Sequence, residues 1–208
     1  MFRAVVRLRV VVACLGVLAG WGCSRGPAAI RPPAIDASAA GRLAIQQYDG
    51  DGDGLIRGGE LDKAPAIRAA MKNLDTDGDG GVSAQEITAR IKAWQKTKVG
   101  KMSLSCTVSR GGQRLQEATV KFIPEEFLGD EIQTATGQTD QLGVAVLSAP
   151  LDPGVPGDVP GVPYGLYRVE ITKEGMDIPA KYNTQTILGQ EVAEDCPEVR
   201  RGINFHLK

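Results

Sequence analysis

Two stretches decide the reading of this chain: Asp49–Glu60, DGDGDGLIRGGE, and Asp75–Glu86, DTDGDGGVSAQE. Both are twelve residues long and share one pattern, with aspartate at positions 1, 3 and 5, glycine at 6, a branched apolar residue at 8 and glutamate at 12. Alternate aspartates on a tight turn send several carboxylates towards one point. A hard divalent cation is satisfied by such a crowd of oxygens in a flexible cage, whereas a plain acidic turn has no need of the distant glutamate. The side-chain ligands expected in the first loop are Asp49, Asp51, Asp53 and Glu60, joined by the carbonyl of Leu55. In the second they are Asp75, Asp77, Asp79 and Glu86, with the carbonyl of Gly81. Gly54 and Gly80 supply the sharp bend at position 6. Position 9 of such loops acts through a water; Ser83 can do this and Arg57 cannot, so the first site is expected to be the weaker or wetter one.

The flanks carry helical periodicity. Ile67, Ala70, Met71 and Leu74 form one apolar stripe before the second loop, and Ile87, Ile91 and Trp94 continue it afterwards. Pro65 suits a first helical turn, and Ser83 with Glu86 forms a capping box. A shorter face, Ile45 and Tyr48, marks a helix beginning near Asp36. Ile56 and Val82 are expected to pair as a β bridge joining the loops. Taken together, residues 36–96 resemble an EF-hand pair, which implies two bound calcium ions. The loops start at 49 and 75, a closer spacing than in calmodulin-like pairs, and the helix leaving loop one must stop by Ala64, ahead of Pro65. With only four methionines in the chain, this favours a structural or buffering pair over a switch with a Met-rich target groove. The compact spacing is also similar to dockerin modules, whose calcium loops plug into a partner; an exported protein or a glycan is the alternative partner class.

The N-terminus, residues 1–22, reads as a lipoprotein signal peptide: Arg3, Arg7 and Arg9 precede an apolar run from Val10 to Ala19. Gly22–Cys23–Ser24 resembles a bacterial lipobox, which implies acylation of Cys23 and an exported protein lipid-anchored to an envelope membrane, periplasmic or at the surface. Gly20 and Trp21 depart from the usual lipobox residues, and ordinary secretion or an uncleaved anchor is the alternative. Residues 23–35, with the Pro/Ala-rich Gly26–Ala34, form a tether. Of four cysteines, Cys14 leaves with the signal and Cys23 takes lipid, so Cys106 and Cys196 remain as either a disulfide or two buried thiols. The full chain has net charge −1, and loss of the signal removes three arginines and no acids. No basic run or basic–aromatic patch points to nucleic acid.

From about Met102 the apolar period changes to two. Ala118, Val120 and Phe122 share a face, as do Tyr167, Val169 and Ile171, and Ile203, Phe205 and Leu207; Ser103–Val108 and Val144–Ala149 add further strands. Gly111–Gly112 and Asp140–Gly143 read as hairpin turns. Alternation puts Cys106 on a core face with Leu104 and Val108. Residues 102–208 thus read as an antiparallel sandwich. Three runs, TVSRGGQRLQEATVKFIP from Thr107, TGQTDQLGVAV from Thr136 and YGLYRVEI from Tyr164, resemble a carboxypeptidase regulatory-like, transthyretin-like domain. The matching positions are Gly112, Leu115, Ala118, Val120, Phe122, Thr139, Asp140, Gly143, Gly165, Tyr167 and Val169. Ile178–Val192 is similar to a segment of small exported proteins of planctomycete-type bacteria. A glycine usual near Ser105–Cys106 is absent, Val144 and Ala145 replace an aromatic, and Leu151–Gly165 is a Pro/Gly-rich insertion.

Such domains are usually accessory. Their catalytic relatives, the hydroxyisourate hydrolases, depend on several histidines, whereas this chain has one, His206, on the polar face of the last strand. No nucleophile or phosphate-cradling motif is present, and the adjacent Glu125 and Glu126 read as a solvated strand end. The expected architecture is multidomain, an all-α EF-hand pair plus an all-β transthyretin-like antiparallel sandwich, without catalytic residues.

Overall fold

The computed structural model describes residues 32–97, 99–151 and 158–208. Residues 1–22, read above as a signal peptide, Cys23 and part of the Pro/Gly-rich insertion lie outside these residues.

The chain opens with α1 (Ala37–Tyr48), whose N-terminus is capped by Asp36 accepting from the N–H groups of Ser38 and Ala39. Its inner face is made of small residues, Ala37, Ala40, Gly41 and Ala44, closed by Tyr48; Ile45 is only partly buried. The small face lets a second helix come close. Then follow β1 (Leu55–Arg57), a 3₁₀ turn (Gly58–Asp62), α2 (Pro65–Leu74), β2 (Gly81–Ser83) and α3 (Ala84–Lys96). Ile67, Ala70 and Leu74 of α2 and Ile87, Ile91 and Trp94 of α3 are buried, as their periodicity requires. At the α1–α3 crossing a Cβ on Gly41 would stand 2.3 Å from the Ala84 carbonyl oxygen.

The remaining residues are mostly strand: β3 (Lys101–Met102), β4 (Leu104–Arg110), β5 (Gln113–Arg114), β6 (Ala118–Pro124), β7 (Ala135–Gln138), β8 (Val144–Leu147), β9 (Val162–Pro163), β10 (Gly165–Lys173) and β11 (Gly189–Val192), then a short α4 (Pro197–Arg201) and β12 (Ile203–Leu207). One four-stranded sheet has the order β11-β10-β6-β7; the other joins β12, β4 and β5, with β8 also paired to β4. The alternating apolar residues of both sheets are buried.

Two strand expectations are corrected. The sandwich is not wholly antiparallel, because β12 pairs with β4 in parallel, Phe205 opposite Val108. Asp140–Gly143 does form a turn, with Gly143 N–H donating to the Asp140 carbonyl at 2.9 Å. However, its arms belong to different sheets and meet at a single bridge, Thr136 with Ser148, so the turn is a corner between layers rather than a hairpin within one.

Helices and sandwich share one continuous hydrophobic core. The N-terminus of α2 lies on β11 so closely that a Cβ on Gly189 would fall 2.0 Å from the Pro65 carbonyl oxygen. Tyr48 meets Phe127 edge-on at 6.4 Å between ring centroids. The molecule is therefore a mixed helix-and-strand fold, with four helices among the described residues and α2 packed against β10 and β11.

Candidate metal centre

Each acidic loop starts where a helix stops. Asp49 and Asp75 follow α1 and α2, and their N–H groups still donate to helix carbonyls, of Ile45 and Met71, at 2.9 Å each. From there the two loops fold alike, residue for residue. Asp49 accepts from the N–H groups of Gly52 (2.6 Å) and Gly54 (2.9 Å), and Asp75 from those of Gly78 (2.7 Å) and Gly80 (3.1 Å). Asp51 accepts from Asp53 N–H and Asp77 from Asp79 N–H; Asp53 accepts from Leu55 N–H and Asp79 from Gly81 N–H. Position 6 is bent into left-handed geometry, with φ +87° at Gly54 and +85° at Gly80, a conformation open to glycine and strained for other residues.

The glutamates close the rings. Glu60 reaches back to the N–H groups of Gly50 (2.6 Å), Asp51 (3.3 Å) and Arg57 (3.0 Å). Glu86 accepts from the N–H and hydroxyl of Thr76 and the N–H and hydroxyl of Ser83, at 2.8 to 3.1 Å. Held by these donors, one oxygen each of Asp49, Asp51 and Asp53 lie within 4.8 Å of one another, and so do those of Asp75, Asp77 and Glu86; Glu60 stands outside the first of these groups and Asp79 outside the second. Like charges gathered this closely repel until something positive stands among them. The donors are all hard oxygens, with no histidine or cysteine in either cluster, which suits a calcium-type cation and not a zinc-type one.

The hydrogen bonds also set the charge. The N–H of Gly54, then that of Gly52, hold Asp49 below the usual carboxylate range, and those of Arg57 and Gly50 do the same for Glu60. Burial alone would raise Glu86, but the bonds from Ser83 and Thr76 outweigh it and the net shift is downward. The loops differ in one respect: Arg57, at position 9, forms an ion pair with Asp53 and so competes for a prospective ligand. The second loop has Ser83 there, bonded to Glu86.

The loops are tied together by β1 and β2, in the register Leu55 to Ser83, Ile56 to Val82 and Arg57 to Gly81. Ile56 and Val82 are fully buried beneath the pair, which is the bridge expected at position 8. Leu55 and Gly81, the carbonyl donors expected at position 7, begin the two strands.

Some residues read otherwise in the fold than in the sequence. Glu125 is not a solvated strand end. It has no exposed surface and accepts the Tyr48 hydroxyl at 2.6 Å, with Arg168 at 3.8 Å; Glu126 is exposed. Burial raises Glu125 above the ordinary carboxylate range, against the pull of Tyr48 and Arg168. Cys106 and Cys196 do not form the disulfide kept open above. Both are free and buried, Cys106 within the sandwich and Cys196 beside Asn73, and burial pushes each thiol up to about 12. His206 Nδ1 lies 2.7 Å from the Ser109 hydroxyl. Sequence reasoning missed Glu191, a strand residue only 2% exposed that accepts from Asn73, Arg90 and Trp94. Its partners come from helices about a hundred residues away along the chain, so no local pattern marks it.

Compared with protein-family models, with curated proteins and with solved structures, the chain matches none.

Proposed function

We propose that this protein binds two calcium ions at paired EF-hand loops and serves as a structural, non-catalytic module of the cell envelope. The observation that carries this reading is the duplicated ring, in which the same inward-facing bonds recur in both loops around oxygen donors alone. Asp49, Asp51, Asp53 and Glu60 would hold one ion with the Leu55 carbonyl, and Asp75, Asp77, Asp79 and Glu86 the other with that of Gly81. Bound calcium supplies charge neutralisation and cross-linking of each loop. Affinity on the order of 10⁻⁴–10⁻³ M or tighter is expected for an extracellular module with this donor set. The second site is the tighter one, since Glu86 is better held and Ser83 replaces the competing Arg57.

The sandwich is proposed to be of the transthyretin-like type, acting as a spacer, and Cys23 to carry the lipid that anchors the chain. Both rest on sequence resemblance. Calorimetric titration of the full chain with calcium tests the central claim, beside a variant carrying Asp49→Ala and Asp75→Ala. Two sites in the wild type that vanish in the variant support it; absence of binding up to several millimolar sinks it.

A further inference from the structure

Each helix that leads into an acidic loop ends on a hydrogen bond to a buried carboxylate of the sandwich. Tyr48, the last residue of α1 and the neighbour of Asp49, donates to Glu125, just past β6. Asn73, two residues before Asp75, donates its Nδ2 to Glu191 Oε2 at 2.7 Å, in β11. The other oxygen of Glu191 takes Arg90 Nε at 2.5 Å and Trp94 Nε1 at 3.2 Å, both from α3, the helix that leaves the second loop. Arg90 in turn makes a bidentate pair with Asp195 at 2.7 Å.

These are two separate grips of one kind, and neither belongs to the loops themselves. A buried carboxylate that loses a donor bears its full desolvation cost, so such a bond resists slipping. The packing around the grips is equally unforgiving. The Tyr48 ring rests on Phe127, and the start of α2 touches the backbone at Gly189. The first aspartate of each loop therefore stands where the sandwich puts it.

We propose that the sandwich presets the two loops through Tyr48–Glu125 and Asn73–Glu191, so that cation binding and the helix–sandwich interface strengthen each other. This inference rests on the calcium reading above. Coupling of this sort is reciprocal: what the interface gives to affinity, the cation returns to the interface. Tyr48 and Asn73 are then positioning residues, acting on the ion through Asp49 and Asp75.

The test is calcium titration of the full-length wild type, Tyr48→Phe and Asn73→Ala, with circular dichroism to establish that each variant is folded. Hydrogen exchange of the wild type with and without calcium accompanies it. Tyr48→Phe is expected to raise the dissociation constant of the first site, and Asn73→Ala that of the second, by about fivefold or more. Calcium is expected to slow exchange at Phe122–Glu125 and Gly189–Val192 of the sandwich, a readout that needs no variant. Unchanged constants in folded variants, or slowing confined to the loops, overturn the linkage and leave calcium binding standing. A wild type that binds no calcium overturns both.

Discussion

A carboxylate without exposed surface is costly unless its charge is answered, and Glu125 is answered only in part. Tyr48 bonds one oxygen; the other has no hydrogen-bond partner, and Arg168 stays 3.8 Å away. Because burial raises its pKa in the folded state above the ordinary value of 4.5, the fold prefers the protonated form. That contribution to stability is complete below the unfolded value and is lost as pH rises through the raised folded value. Glu125→Gln keeps the shape and an acceptor for Tyr48 without the charge. Its melting temperature is expected to gain on the wild type as pH rises above the ordinary carboxylate value; a difference that is constant with pH would falsify this account. Two glycines make a second test. Gly41 and Gly189 have no room for a methyl group because carbonyl oxygens stand where it would go. Alanine at either position is expected to cost about 1–3 kcal/mol by overpacking, read as a lower denaturant midpoint at unchanged slope. Nothing in the sequence marks these positions, since both close approaches come from residues distant along the chain. The acidic clusters were legible for the opposite reason: the spacing that gathers them is local. Glu125 looked like a strand-end acid because its burial depends on Tyr48, which is 77 residues away.

At the scale of elements, periodicity found the strands long enough to show it. β4, β6, β10 and β12 each bury alternate residues. β7 (ATGQ) and β11 (GQEV) are four residues long and half polar, and β3 and β9 are two residues each, too short for a period to appear. Alternation assigns a face and says nothing about direction, so the parallel pairing of β12 with β4 was not readable. In α1 the buried stripe is largely alanine and glycine, and a search for large apolar side chains saw only its end. The β1–β2 bridge, by contrast, could be foreseen because the loop pattern itself fixes Ile56 and Val82 at matching positions. That bridge carries a prediction. Ile56 is fully buried between the loops. Ile56→Ala is expected to cost about 2–5 kcal/mol and to weaken calcium binding at both sites, since the strands that hold the loops in register lose their packing. Equal affinity in a stably folded variant would show that each loop forms by itself.

For the whole molecule, the question is whether helices and sandwich unfold as one. Their common core and the two polar grips argue that they do. On the proposed calcium reading, calcium bound only to the folded state would add roughly 2.7 kcal/mol per site at a hundredfold excess over the dissociation constant. For a chain of this size that moves the melting temperature by roughly 5–10 °C per site, and signals from helices and sheets should shift together. The two free thiols among the described residues are natural reporters. Cys106 lies inside the sandwich and Cys196 at the helix–sandwich contact, where Asn73 Nδ2 approaches its sulfur at 3.6 Å. Both are buried, and burial pushes each thiol up to about 12 and keeps it in the unreactive form, so a thiol reagent reads opening rather than intrinsic reactivity. If the fold opens as a unit, peptide-resolved labelling should modify Cys106 and Cys196 at the same rate in a calcium chelator. Added calcium should slow both by the same factor, although neither residue lies in an acidic loop. Early labelling of Cys196 alone would mean that the helices lift from the sheet before the sandwich opens, and that calcium governs only the part of the fold that contains its loops.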